Sequence, residues 1–303
     1  MTLATMIVVG GCSVQAPAEG GASGTAPATA PPAGQEALSK FYSQKLSWEG
    51  CGPAGEAKAE CAWVEVPVDY DEPDGETIKL RALKVAATGK SQGSLLVNPG
   101  GPGGSAVEYA RAADLVVSPS IRRSFDVIGL DPRGVGESNP IECFGEERMD
   151  EMLSLDPTPD DQQEADKART VAREFGQACQ QKHPDLLPHL STVEAAKDMD
   201  VMRGALGEEK LTYLGKSYGT FLGATYAELF PQRAGRLVLD GAIAPELSND
   251  ELNLGQAVGF ETATRAYVQA CVSEGTARWA RTSTRACSRC GICSRASTRS
   301  RCR

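Results

Sequence analysis

Short, nearly continuous apolar segments recur along the middle of the chain, and they constrain the fold more than any other feature. They span residues 94–97, 125–130, 211–214 and 236–239. Segments of this length and composition suit strands that are buried on both faces of a parallel sheet. Helical segments separate them, so the sequence predicts an α/β fold with a mostly parallel, doubly wound sheet.

Further elements surround these strands. Residues 61–66 and 77–85 predict two more strands, joined by a turn over 69–75 that contains proline and glycine. Residues 143–190 are polar and helical in character. We expect them to form an insertion over the edge of the sheet.

Two helices have clear boundaries in the sequence. One is expected to begin at Ser191, where Glu194 completes a capping box. A second follows Ser217 and ends before Pro231. The first helix carries an apolar stripe that predicts its buried face, formed by Val193, Ala196, Met199, Met202 and Leu206.

The amino-terminal segment predicts export. Residues 1–12 end in Val-Gly-Gly-Cys, which resembles a bacterial lipobox in which Cys12 becomes lipidated. An ordinary secretory signal and an unstructured amino terminus are the alternatives. Residues 13–37 are rich in alanine, glycine, proline, serine and threonine and predict a disordered linker. The folded domain is then expected over residues 38–275.

Cysteine usage supports an oxidising compartment. The chain has ten cysteines, which is many for a protein of the reduced cytosol. By proximity we expect bridges Cys51–Cys61 and Cys143–Cys179, with Cys271 paired further along the chain. The protein is therefore predicted to be a cell-surface lipoprotein or a secreted protein.

Net charge and the carboxyl-terminal composition exclude several functions. A formal charge of −9 argues against a nucleic-acid partner.

Residues 276–303 contain eight arginines and no acidic residue. We interpret this tail as an out-of-frame translation of a GC-rich gene. Its Cys287-x-x-Cys290-x-x-Cys293 pattern has no fold around it, so no metal or other cofactor is expected.

The sequence Gly215-Lys216-Ser217-Tyr218-Gly219 is the strongest functional motif. It is a G-x-S-x-G pattern between a predicted strand and a predicted helix. A serine on such a sharp turn sits in strained backbone and needs small neighbours, here Gly215 and Gly219. Ser217 is therefore the candidate nucleophile. A P-loop is excluded because Lys210 occupies the position of its first glycine.

A glycine-rich loop at 98–105 follows the strand predicted over 94–97. In this fold class the corresponding loop supplies one backbone N–H to an oxyanion hole, and the residue after the nucleophile supplies the other. The candidate donors are Gly101, with Gly100 next, and Tyr218.

Two acidic positions near these loops are interpreted as structural. Asp131 and Arg133, in the turn after residue 130, are expected to tie loops together. Asp240 ends the segment 236–239, and we expect it to cap that strand rather than to serve as a catalytic acid.

Four motifs in this order, at 95–105, 129–138, 213–220 and 236–241, resemble the tripeptidyl aminopeptidase-like serine peptidases. These are exported α/β-hydrolases typical of actinobacteria, and proline iminopeptidases are similar more distantly. The resemblance covers about residues 40–275. It implies an α/β-hydrolase fold and release of short peptides from amino termini through an acyl-enzyme. An esterase on the same fold and a non-catalytic lipoprotein fragment are the alternatives.

The chain departs from this family in one respect. The family's triad runs serine, aspartate, histidine along the chain, whereas the two histidines here, His183 and His189, both precede Ser217. We expect neither to replace the missing base, so the chain as written is predicted to be inactive as a peptidase. The frame interpretation of 276–303 further predicts that the domain lacks its last strands, the acid and the histidine.

Overall fold

The computed structural model describes residues 29–52 and 59–273. Its strands form one seven-stranded sheet. The strands are β1 (Glu49–Gly50), β2 (Ala59–Pro67), β3 (Thr77–Val85), β4 (Ser94–Asn98), β5 (Asp126–Leu130), β6 (Leu211–Lys216) and β7 (Ala234–Asp240). The helices are α1 (Ser39–Tyr42), α2 (Ala106–Arg111), α3 (Ala113–Val116), α4 (Pro119–Ser124), α5 (Glu146–Leu153), α6 (Gln162–Lys182), α7 (Thr192–Ala205), α8 (Tyr218–Leu229) and α9 (Asn249–Ser273).

The sheet order is β1-β2-β3-β5-β4-β6-β7. Strands β5, β4, β6 and β7 are parallel to one another, and β1, β2 and β3 extend the sheet through antiparallel pairs. The chain passes from β4 to β5 on one side and then crosses back to β6 on the other. Ligands bind outside the carboxyl ends of the strands at such a reversal, which places the expected site where β4 and β6 end.

Alternate residues of the strands face two separate cores. Leu96 and Ile128 belong to the core beneath α7 and α8, whereas Leu95, Val97 and Val127 belong to the core beneath α2, α3 and α4. Helices therefore cover both faces of the central strands. The predicted α/β class and the doubly wound sheet are confirmed.

The predicted helix after Ser191 is α7. The serine cap of the predicted capping box is present, and the Glu194 carboxylate accepts from Ser191 Oγ. Ser191 Oγ accepts a hydrogen bond from Glu194 N at 3.3 Å. Most of the predicted apolar stripe is buried, but the prediction was wrong for Val193, which is 38% exposed. Val193 lies in the first turn, before the part of the helix that is covered from Ala195 onward by the sheet and by α1 and α8.

The sequence patterns did not predict α9. Most of its large apolar residues, including Leu254, Val258 and Phe260, are exposed, whereas Val268 is buried, and they do not form a one-sided stripe. Neither α9 nor any other helix in the described ranges combines the length and the apolar character needed to cross a bilayer.

Both predicted disulfides are present. Cys51–Cys61 joins the region of β1 to β2, and Cys143–Cys179 ties the start of the segment 143–190 to α6. The segment itself contains α5 and α6. Its helices bury little, and within α6 the buried residues are Val171 and Cys179, so the bridge is a main attachment of this segment.

Loss of the Cys143–Cys179 bridge should destabilise the protein more than loss of Cys51–Cys61. The chain separations are 36 and 10 residues, and the loop-closure relation gives roughly 4 and roughly 2.7 kcal/mol respectively. Urea unfolding of the two double-serine variants, compared with the oxidised parent, measures the difference. Mass mapping of exported protein that finds these four thiols reduced would contradict the predicted compartment.

Candidate active site

Ser217 occupies the turn between β6 and α8, and its side chain is exposed. Its φ of 53° and ψ of −123° are rare for residues other than glycine, a strain of about 1–3 kcal/mol. Ser217 N donates to Asp240 O at 3.0 Å, and Ser217 O accepts from Thr220 Oγ1 at 2.7 Å. Bonds on both sides of the residue therefore hold the strained turn at the carboxyl edge of the sheet.

The two motif glycines are required by close backbone approach. A Cβ on Gly215 would lie 2.3 Å from Gly219 O, and a Cβ on Gly219 would lie 2.9 Å from Asn98 O. Both approaches are shorter than real Cβ contacts, and the atoms met are backbone atoms that cannot move aside. The G-x-S-x-G pattern thus has a steric basis here.

Gly215→Ala should therefore destabilise the fold by about 1–3 kcal/mol, the usual cost of overpacking. Gly176→Ala is the matched control, because nothing lies within 4 Å of its Cβ position in α6 and alanine favours a helix by roughly 0.5–1 kcal/mol. Urea unfolding should move the two midpoints in opposite directions. Equal midpoints would show that the turn at Ser217 tolerates a Cβ.

The loop 98–105 lies directly beside Ser217. Asn98, at the end of β4, is in register with Gly215 of β6. A Cβ on Gly100 would lie 3.1 Å from Ser217 Cβ and 2.9 Å from Tyr218 N. The loop and the serine turn are therefore packed backbone against backbone, as expected for a hole formed by two main-chain donors.

The hydrogen bonds of this loop distinguish its two candidate donors. Gly100 N donates to Asn98 Oδ1 at 2.8 Å, so that group is already used. Gly101, with φ of 119°, and Tyr218 have no acceptor for their backbone N–H within the described residues. The arrangement favours Gly101 over Gly100. The sequence does not predict that Asn98 supports the loop, because it does not reveal this side-chain bond.

The side chain of Tyr218 makes a contact that the sequence did not predict. Its hydroxyl lies 2.7 Å from Thr192 Oγ1 at the start of α7. This bond joins the residue after the candidate nucleophile to the helix that follows the segment 143–190. No sequence signal identifies it, because the partners are 26 residues apart.

Asp131, Arg133 and Asp240, which were predicted to be structural, make contacts that hold neighbouring loops and turns. Arg133 is buried and forms a bidentate ion pair with Asp198 of α7. Asp131 accepts bonds from the start of α2. The main-chain oxygen of Asp240 holds Ser217 N, while its carboxylate is exposed and lies 3.6 Å from Lys216 Nζ. Loop support by Asp131 and Arg133 is thus confirmed.

Neither histidine is placed at Ser217. His183 Nε2 accepts from Glu142 N at 3.2 Å, and His189 Nε2 lies 3.9 Å from Asp69 Oδ2. Asp69 follows β2, which is four positions from β6 in the sheet order, or roughly 19 Å at about 4.8 Å per strand. The described residues thus supply a serine and two N–H donors but bring no imidazole to them.

Several predicted features lie outside the described residues. These are Cys12 with the lipobox, most of the linker, and the tail 276–303. Within 29–52 and 59–273, no group of three or more histidine, cysteine, aspartate or glutamate side chains is arranged to hold a metal ion.

Comparison with known proteins adds a family match. A family model described as alpha/beta hydrolase fold matches residues 93–290, more than half of the chain. Tripeptidyl aminopeptidase of Streptomyces lividans is 40% identical over 227 residues, which is 71% of this chain and 42% of that protein.

Two mycobacterial relatives have similar identities. Serine protease Hip1 of Mycobacterium tuberculosis is 39% identical over 238 residues, covering 75% of this chain and 45% of that protein. Carboxylesterase B of the same species is 39% identical over 278 residues, covering 88% and 52%. The chain therefore spans about half the length of these curated relatives.

Proposed function

The chain belongs to the α/β-hydrolase fold family, and on that premise we propose that Ser217 is the nucleophile of an acyl-transfer site. The observation that carries the proposal is the strained φ of 53° at Ser217, on a turn packed against the loop 98–105. A strained, exposed serine beside two unused N–H groups suits attack on a carbonyl and stabilisation of the resulting oxyanion.

We assign the oxyanion donors to Gly101 N and Tyr218 N. Gly215 and Gly219 serve the turn by allowing its close backbone contacts. No step requires a metal or an organic cofactor, because acyl transfer by serine uses a base and N–H donors alone.

The proposed reaction class is hydrolysis of peptides or esters. A relative named tripeptidyl aminopeptidase favours release of short peptides from amino termini, and one named serine protease favours peptide-bond hydrolysis. A relative named carboxylesterase, which matches a larger share of this chain, favours an esterase as the second candidate. Both reactions share the acyl-enzyme, so the serine turn suits either.

Acylation of Ser217 tests this proposal. The 303-residue chain and its Ser217→Ala variant are incubated with p-nitrophenyl acetate, and the acyl adduct is located by peptide mass mapping. We expect an adduct on Ser217 that is absent from the variant. Equal adduct formation in both proteins, on lysines or amino termini, would favour the non-catalytic alternative.

Substrate class requires a second comparison, made with added imidazole as an external base. A tripeptide p-nitroanilide with a free amino terminus is compared with its acetylated form and with p-nitrophenyl butyrate. An aminopeptidase should cleave the free form in preference to the acetylated form. Ser217-dependent cleavage of the ester alone would support the esterase.

We further propose that the protein is exported and anchored through a lipid on Cys12. The two disulfides support an oxidising compartment. Metabolic labelling of a bacterial host with an alkyne fatty acid should mark the parent protein and not Cys12→Ser. Exported, unlabelled parent protein would instead support an ordinary secretory signal.

A further inference from the structure

Glycines make up half of the loop 98–105, so its backbone conformation depends on its surroundings, among them the turn at Ser217 against which Gly100 packs. Gly100, Gly101 and Gly103 have φ of 88°, 119° and 97°, and glycine is the residue type with the most conformational freedom to lose. Within the loop, Gly104 N donates to Gly100 O at 3.0 Å. Its geometry must therefore depend on how its two ends are held.

The upstream end is held by the sheet. Asn98 belongs to β4, is buried, and accepts from Gly100 N through its side chain. The downstream end is Ser105, the residue that caps α2. Its hydroxyl accepts from Glu108 N at 3.1 Å and donates to Asp131 Oδ1 at 2.8 Å. The downstream end is thus held by the side chain of Asp131, which directly follows β5.

Asp131 is well placed to act as a fixed point. It is 2% exposed, and its Oδ1 also accepts from Val107 N at 3.0 Å. Asp131 N donates to Arg81 O at 3.0 Å, and Asp131 O accepts from Ser138 Oγ at 2.8 Å. The residue is therefore bonded to β3 and to its own turn as well as to α2.

The turn 131–138 closes around the carboxylate. A Cβ on Gly136, which has φ of 56°, would lie 2.1 Å from Asp131 Oδ2. Burial raises the pKa of Asp131, and the bonds from Val107 N and Ser105 Oγ oppose that rise. A buried carboxylate accepting several N–H and O–H bonds is a stiff anchor, because breaking any one of them leaves a buried group unsatisfied.

We propose that Asp131 is a positioning residue for the oxyanion loop, which it holds through Ser105 and Val107 so that Gly101 N–H stays directed at the acyl oxygen above Ser217. This inference rests on the proposed function of Ser217 and Gly101. It assigns Asp131 a role in the reaction although it touches neither the nucleophile nor the substrate.

Two variants of the full chain test the proposal. Asp131→Asn keeps the size of the side chain and removes its charge, and Ser105→Ala removes the bond to Asp131. Ser118→Ala is the matched control, because Ser118 caps α4 through Ile121 N in the same way but has no bond to this loop. If Asp131→Asn fails to fold, Ser105→Ala alone carries the test.

The first readout is amide hydrogen exchange over residues 98–107, measured by mass spectrometry. Exchange there should become about tenfold faster or more in both variants, because local opening becomes easier, and should not change in Ser118→Ala. Unchanged exchange in both variants, or an equal increase in the control, would overturn the proposal.

The second readout is acylation by p-nitrophenyl acetate, corrected with Ser217→Ala. The maximal rate should fall about tenfold or more, since a displaced oxyanion donor costs up to roughly 10²–10³-fold, while the half-saturating ester concentration stays constant. Faster exchange with an unchanged rate would overturn the positioning role. In another outcome, the parent shows no Ser217-dependent rate while both variants lose protection of the loop. That result would reject the proposed function, but the anchoring of the loop by Asp131 would stand.

Discussion

A fluorophosphonate probe should label Ser217 of the 303-residue chain slowly, more than about 10³-fold below a serine hydrolase with a complete triad. A serine hydroxyl is a weak nucleophile until a base within hydrogen-bond reach accepts its proton. In the described residues His189 lies near Asp69 and His183 is bonded to Glu142 N. Neither can accept the proton of Ser217.

Added imidazole should partly restore labelling. A free base in solution can reach an exposed serine, and we expect an acceleration of about tenfold or more, below the roughly 10²–10⁴-fold effect of a positioned base. The rate is measured by intact mass, with the modified residue mapped to Ser217. Ser217→Ala is the control for direct reaction of imidazole with the probe.

Two histidine variants test whether His183 or His189 acts as the base for Ser217. Labelling should be unchanged in His183→Ala and in His189→Ala, because neither side chain contacts the serine turn. Rapid labelling of the parent chain that is lost in His189→Ala would show that His189 reaches Ser217 in solution, and the placement of the base would then be wrong.

Arg133→Met should destabilise the protein by about 3–5 kcal/mol, the cost of leaving one partner of a buried ion pair without its counter-charge. The side chains of Arg133 and Asp198 are each 1% exposed. The guanidinium donates to both carboxylate oxygens at 2.8 and 2.7 Å. Burial opposes the charge on Arg133, but the Asp198 carboxylate outweighs it and raises the pKa of Arg133.

The remaining donors of Arg133 make the loss larger. They bond to three main-chain oxygens, those of Pro67, Val68 and His189, at 2.8–3.0 Å. All five N–H groups of the guanidinium are thus satisfied. Arg133 therefore joins the end of β2, the turn after β5 and the segment before α7, and methionine would remove the donor from each of these acceptors, two of which form buried bonds.

Urea unfolding measures the effect, with two comparisons. Arg133→Lys should lose part of the stability, because an ammonium group cannot reproduce the planar fork. Arg169→Met removes an ion pair with Asp166 whose side chains are 60% and 62% exposed, and its stability should hardly change. Equal midpoints for Arg133→Met and Arg169→Met would contradict a structural role for the buried pair.

Local sequence patterns predicted much of the fold. Apolar segments predicted the positions of β4, β5, β6 and β7, and β3 has the predicted bounds. Burial is confirmed for β4 and β5, but the prediction was wrong for β7, which lies at the edge of the sheet and is largely exposed. Ser191 and Glu194 marked the start of α7 because capping is a contact between near neighbours in the chain. The strained turn at Ser217 was predictable for the same reason, since the glycines and the strand–helix context lie within a few residues.

The polar interior was not predictable from these patterns. Asp198, Asp200 and Arg203 are charged residues of α7 that the predicted apolar stripe does not include, yet all three are buried. They are buried because α7 lies between the sheet and neighbouring helices, where their charges pair with residues such as Arg133 and Arg233. The pairs of Asp198 with Arg133 and of Asp200 with Arg233 join distant parts of the chain, and hydrophobic periodicity carries no information about them.

The sequence by itself determined the strand–helix alternation, the serine turn and the glycine-rich loop, because each depends on neighbouring residues or on composition. It also predicted both disulfide pairs, since each joins cysteines that follow one another along the chain. Only the tertiary structure decided which N–H groups of that loop stay unused, that Asp131 holds its far end, and that His189 lies beside Asp69 rather than Ser217. These contacts depend on the strand order, which brings β4 next to β6 and sets β2 four positions away.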